Sequence, residues 1–312
     1  MEKGKAGRVD YSKYLDETTP SYKIIMPLRL CMGIGLVIMG IIAVTAMPFL
    51  KNSTTILATQ TPAADDHVGM ALHPPASNIV ARFKPLLSIG VSSLIFGVLI
   101  AISSRAEKLQ IWYIRGCEQY SCYFSYYQVC FQSGFVILTI MPLSGVINVY
   151  ELVFATALTF AEFWLYLCSD LTNALVLNNW EFVDTIKIRH TPNDPAADYF
   201  RLTGRAAWFT NCYQPLLGAI VTHMLIWIII LIHVIESARS SVYEINSVFI
   251  VIIALTMFLQ MLIPVFKLIQ LARPSSSVFH GFRMYRFVLM AVEMTEFANM
   301  VVVTTLLIFA IK

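Results

Sequence analysis

The sequence predicts an all-α polytopic membrane protein with seven transmembrane helices, its amino terminus inside and its carboxyl terminus outside. Three observations carry that prediction. Of 312 residues, 57% are hydrophobic and 13% charged, with mean hydropathy +0.69. So few charges cannot coat a globule of this size, and much of the exterior must face lipid. Seven apolar stretches each reach the ~20 residues that a helix needs to cross a bilayer. Lysine and arginine are also shared unequally between alternate loops, which sets direction.

Residues 1–24 form a polar tail in which Lys3, Lys5, Arg8 and Lys13 mix with Glu2, Asp10, Asp16 and Glu17. That acid-containing start is neither a cleavable secretory signal nor an Arg-rich transit peptide, so the first span is expected to serve as its own insertion signal. The membrane domain is residues 25–312, with spans at about 25–49, 85–104, 122–147, 150–178, 207–236, 245–272 and 283–311. These runs are too long and too evenly apolar for the ~10-residue alternating strands of a membrane barrel. An irregular, Pro-, Thr- and Ala-rich outer loop at 50–84 follows the first span, and an inner loop at 179–206 follows the fourth.

One side receives sixteen cations, Lys3, Lys5, Arg8, Lys13, Lys23, Arg29, Arg105, Lys108, Arg115, Lys187, Arg189, Arg201, Arg205, Arg273, Arg283 and Arg286. The other receives five, Lys51, Arg82, Lys84, Arg239 and Lys312, and Lys267 lies near the end of the sixth span, where its stem can snorkel to the inner surface or its ammonium can serve as counter-ion to a membrane carboxylate. The sixteen mark the cytosolic or matrix side. This direction is opposite to that of G-protein-coupled receptors. Heliorhodopsins share it, but the last helix carries no internal lysine to hold retinal. Which membrane is occupied is not encoded in any address signal.

The loops exclude most chemistry. Net charge +3 and the lack of a basic block interleaved with aromatics argue against nucleic acid. No Walker loop, GxSxG, HExxH or dinucleotide fingerprint occurs, so no enzyme, cofactor or metal site is expected. Asn52-Ser53-Thr54 is a glycosylation sequon close to the membrane, and His67 and His73 beside Asp65 and Asp66 read as ordinary loop histidines. Of the six cysteines none lies in the outer loop, and they read as buried thiols.

Ionisable groups inside the spans carry the functional reading, because each costs about 2.5–3.5 kcal/mol in hydrocarbon unless it faces protein or water. Counting along each span places Glu162, His223, Gln260, Glu293 and Glu296 close to one depth, with Asp170 nearer the inner side. Glu162 and Asp170 are about 80° apart around their helix and share a broad face. Glu293 and Glu296 are neighbours at i and i+3, so one of the two is expected to hold a proton. The alternative for each is a helix-to-helix hydrogen bond. His233 reads as interfacial. Pro142, Pro215 and Pro264 each free a backbone carbonyl within a span, Gly33, Gly35, Gly40, Gly90 and Gly97 provide small faces for helix contact, and Tyr120, Tyr123, Tyr126 and Tyr127 fit an aromatic belt. The expectation is a proton or small-cation transporter or channel, in contact with the lipid bilayer and with other membrane subunits or copies of itself. A structural subunit of a larger membrane complex and an inverted seven-helix receptor are the alternatives.

Overall fold

A computed structural model of the chain describes residues 20–46, 56–60, 78–118, 122–146, 148–187, 213–239, 247–272 and 278–310. Eight helices and one hairpin make up these residues: α1 Pro20–Ala46, β1 Ile56–Gln60, β2 Asn78–Phe83, α2 Pro85–Arg105, α3 Glu107–Glu118, α4 Tyr123–Leu143, α5 Val149–Lys187, α6 Gln214–Arg239, α7 Ser247–Ala272 and α8 Val278–Ala310. All of them except α3 are long and apolar enough to cross a membrane. Large apolar side chains such as Ile38, Ile95, Val221, Ile228 and Phe258 lie exposed on the outside of the bundle. Polar residues are buried within it, the reverse of a water-soluble surface.

The ends of the helices follow local rules. Asn148 accepts a hydrogen bond from the Tyr150 amide at 3.0 Å and opens α5, with Glu151 in the first turn. Gly145 at φ 99° closes α4, and the Val146 amide reaches back to the Met141 carbonyl at 3.0 Å. Helix α5 runs on to Lys187, past the predicted start of an inner loop at 179. It contains neither proline nor glycine, so nothing in the backbone stops it at the membrane edge. The loop at 50–84 holds the antiparallel hairpin β1–β2, with Ile56 opposite Phe83, where irregular structure was expected. Helix α3 was also not foreseen. Its Tyr113, Ile114 and Cys117 turn inward, at helical spacing on one face.

Helices α4 and α8 form the axis, with 78% and 61% of their spanning windows buried against 33% for α1, α6 and α7. Gly33 and Gly97 bring the backbones of α1 and α2 together, since a Cβ at Gly97 would stand 2.7 Å from the Val37 nitrogen. Contacts fix the relative direction of every span. Cys122 at the start of α4 donates to the Tyr285 hydroxyl near the start of α8 at 3.3 Å, while Ser237 late in α6 meets the Ser144 carbonyl just after α4 at 3.3 Å. The end where α1, α4, α6 and α8 begin is called the tail end below, and the other the hairpin end. The tail at 1–19, Asn52, His67, His73, Tyr120 and loop residues 188–212 lie outside the described residues.

Candidate functional site

Apolar helices leave polar side chains no water to meet, so each polar residue finds a partner across a helix contact or is left unpaired. Three levels of such contacts stack along the axis. The first, toward the tail end, joins α4, α5 and α7. The Tyr126 hydroxyl donates to Asp170, Lys267 donates to Asp170 at 2.7 Å and also to the Tyr126 oxygen, and Gln270 donates to Asp170 at 2.9 Å. Lys267 is buried and paired, so the expectation that it snorkels to the surface is corrected. A carboxylate with three donors is a stronger attraction for its ammonium than the bilayer edge.

The second level joins α1, α3, α4 and α8. Arg29 forms an ion pair with Glu293, which also accepts from Ser125, and reaches Gln128 at 3.2 Å. The Tyr113 ring of α3 covers the guanidinium at 4.0 Å. Tyr113 lies outside the spans, and burial, followed by the nearby Glu293 charge, pushes its hydroxyl well above the ordinary tyrosine range. Arg29 was counted among the loop cations. It lies one turn inside the first span and is 1% exposed.

The third level is at mid-span and holds the remaining predicted residues. His223 Nδ1 of α6 meets Glu162 of α5 at 2.9 Å. Gln260 of α7 donates to Ser133 of α4 at 2.9 Å and to Glu296 of α8 at 3.3 Å. Glu162 and Glu296 lie within electrostatic range of each other, and Cys130 stands within range of both. All six predicted path residues, Glu162, Asp170, His223, Gln260, Glu293 and Glu296, are thus buried inside the bundle. They do not form one group. Glu293 and Glu296, although one turn apart, are divided between different levels, because Arg29 and Ser125 hold Glu293 while Gln260 holds Glu296.

Unpaired polar atoms gather at and just beyond this third level. Among the described residues, Glu296 Oε2, both amide atoms of Asn299, His223 Nε2, Trp227 Nε1, Thr256 Oγ1 and the Tyr166 hydroxyl have no hydrogen-bond partner. Asn299 stands beside Glu296 and Tyr166 beside Glu162, each near enough to interact but not aligned. Trp227 follows His223 by four positions, Asn299 follows Glu296 by three and Thr256 precedes Gln260 by four, in each case toward the hairpin end. Between the first and third levels, Ser125, Tyr126, Tyr166 and Lys267 border a cavity of about 10 Å³, room for at most one water molecule.

Sequence reasoning missed Arg29, Ser125, Tyr126, Ser133, Gln270 and Asn299 as members of this network, while Lys267 was read as a possible counter-ion to a carboxylate. Arg29 carried the same readable signal, a charge inside an apolar run. Tyr126 was assigned to an aromatic belt but is buried, whereas Tyr123 and Tyr127 are exposed. Pro215 is the second residue of α6, where proline needs no kink, while Pro264 lies within α7. His233 is partly exposed and meets Glu151 at 3.0 Å. Among the described residues no cluster of three or more His, Cys, Asp or Glu side chains could hold a metal ion. Compared with known protein-family models and with curated proteins, the chain matches none.

Proposed function

We propose that this membrane-spanning protein moves protons or small cations, with Glu296 as the carrier and the Glu162–His223 pair as its exchange partner. Charge balance supports this reading above all. The spans contain four buried acids, and three of them touch a base: Asp170 meets Lys267, Glu293 meets Arg29 and Glu162 meets His223. Glu296 meets only neutral partners, Gln260, Ser133 and Asn299. A lone carboxylate at 0% exposure in a low-dielectric layer requires neutralisation. Where the neutralising charge is no part of the chain, it is a proton or cation that can be exchanged.

The neighbouring Glu162–His223 contact at 2.9 Å lies within electrostatic range of Glu296, which makes it the exchange partner of this reading. The first and second levels separate this centre from the tail end by closed ion pairs and a cavity no larger than one water molecule. Exchange with that side needs the Lys267–Asp170 contact to open. The bias of cations, fifteen to five once the buried Arg29 is set aside, makes the tail end the proposed cytosolic or matrix face.

The test is flux in proteoliposomes of the purified chain, read with an internal pH dye under an imposed gradient. Wild type is expected to dissipate the gradient, with Glu296→Gln and Glu162→Gln both at the protein-free background. Wild-type vesicles that hold their gradient, or a Glu296→Gln variant that conducts normally, overturn the proposal. In that event co-purification of stoichiometric partner chains supports a structural subunit instead.

A further inference from the structure

We infer that Glu296, Asn299 and Ser133, with the main-chain carbonyl of Gln260, form a binding site for a dehydrated monovalent cation of sodium or lithium size. The inference rests on the reading of Glu296 as carrier and specifies what it carries. Its starting point is the pair of unpaired oxygens. Glu296 Oε2 and Asn299 Oδ1 are both buried at 0% residue exposure, both lack a partner, and their side chains stand next to each other one turn apart on α8.

A proton on Glu296 can donate to one further oxygen, that of Asn299, whereas a cation between the two can bind several oxygens at once. Rotating the Asn299 amide exchanges its oxygen for an NH2 group that donates to Glu296, so one of the two orientations offers the cation an oxygen. Ser133 Oγ, which lies close to Glu296 and receives the Gln260 amide at 2.9 Å, supplies a third oxygen. Pro264 supplies a fourth. It lies inside α7 and has no N–H, so the carbonyl of Gln260, four residues earlier, is left without its helical hydrogen bond. An unsatisfied main-chain carbonyl at the same residue whose side chain binds Glu296 is a suitable ligand for a hard ion.

Charge and size select the ion. The donors are all oxygen, which favours an alkali or alkaline-earth cation over a transition metal. Glu296 is the one acid left unpaired, so a single positive charge brings the layer to neutrality and a divalent ion leaves an uncompensated charge in it. Glu296 and Asn299 are at 0% exposure, so an ion held between them binds without its hydration shell. The two remaining donors of the layer, Thr256 Oγ1 and the Glu162–His223 pair, are available to complete the shell or to relay the proton that the cation displaces.

The experiment is thermal unfolding of the purified full chain in detergent at pH 8, in sodium, lithium, potassium or choline chloride at equal ionic strength. Sodium and lithium are expected to raise the midpoint with saturable dependence, and choline to leave it unchanged. Half-saturation by sodium is expected to weaken several-fold at pH 6, because protons compete for Glu296, and at least tenfold in Asn299→Ala. Ser133→Ala, which removes one hydroxyl, serves if Asn299→Ala does not accumulate. Identical midpoints in all four salts overturn the cation site, and proton flux persisting in proteoliposomes would then leave the proposed translocation standing. Saturable sodium binding without flux of either ion upholds the site and removes translocation.

Discussion

The tail-side half and the hairpin-side half of the same bundle treat buried acids in opposite ways. Toward the tail end, Asp170 and Glu293 each have a cationic partner and added hydrogen bonds from Tyr126, Gln270 or Ser125. At mid-span and beyond, Glu296, Asn299, Thr256 and Trp227 are equally buried yet keep unpaired atoms. Burial of an acid in a membrane span therefore does not by itself indicate function. What separates the two halves is whether each acid has a basic partner, since Glu293 Oε2 also lacks a hydrogen bond while its other oxygen pairs with Arg29. The half whose acids are all paired can act as a set of staples between α1, α4, α5, α7 and α8. The half that holds Glu296 is where something from outside the chain can add stability.

Breaking a staple should have the largest effect. Arg29→Ala leaves Glu293 buried and unpaired, and is expected to cost about 3–5 kcal/mol, read as a lower unfolding midpoint in detergent or as failure to accumulate. Replacing both partners, as in Arg29→Met with Glu293→Leu, should recover most of that loss. A single variant as stable as wild type would show that the pair does not act as a staple. Tyr126→Phe removes a donor to Asp170 and an acceptor for Lys267, and should cost about 1.5–3 kcal/mol by the same measurement.

The glycine contact between α1 and α2 tests packing instead of charge. Gly97→Ala places a methyl carbon 2.7 Å from the Val37 nitrogen and 2.8 Å from the Gly33 carbonyl oxygen, and should cost about 1–3 kcal/mol. Glu296→Gln should do much less. It retains an oxygen to accept from Gln260 and removes a charge with no counter-ion, so its stability should change by under ~1 kcal/mol while flux falls to background. A large loss of stability in Glu296→Gln would erase the contrast between the halves.

The smallest expected change is chemical. Cys117 of α3, outside the spans, has its thiol held well above the ordinary range by burial first and then by its neighbour Cys122. The thiolate is the reactive form, so at pH 8 little of it is present. Alkylation of Cys117 by N-ethylmaleimide, followed by mass spectrometry, should therefore be negligible until the protein is unfolded. Rapid labelling of the folded chain would mean that the tail-side half is wet, not dry.

The number and sequence of the spans were legible because length and apolar continuity report directly on crossing a bilayer. The depth of Glu162, His223, Gln260 and Glu296 was legible for the same reason, as position along a helix converts to height. Partnership was not. Which helix stands beside which depends on contacts such as Gly33 with Gly97, and single-chain periodicity carries no azimuth between helices. So the proximity of Glu293 and Glu296 along α8 suggested one shared site, while Arg29, 264 positions away, claims the first of them. Hydroxyl and amide residues were missed for a related reason. Ser125, Ser133 and Asn299 barely interrupt an apolar run, and an isolated serine in a membrane helix most often bonds its own backbone, as Ser92 does to the Ile89 carbonyl at 2.9 Å. Helix α3 and the hairpin were missed because both are short and lie in segments read as loops.

The close approach of α1 and α2 also limits how such a bundle can change shape. At Gly33, Gly40 and Gly97 the facing backbone leaves no room for even a methyl group, and at Gly90 the Ala43 methyl fills the space, so sliding one helix past the other by a residue would drive a larger side chain into a carbonyl. The pair is a rigid plate. Any rocking that exposes the mid-span centre first to one side and then to the other must fall to the remaining helices, and α6 and α7 are the spans with the least buried surface to surrender. Spin labels across α1 and α2 should report one fixed distance in every salt and at every pH, while labels spanning α4 and α6 should report two.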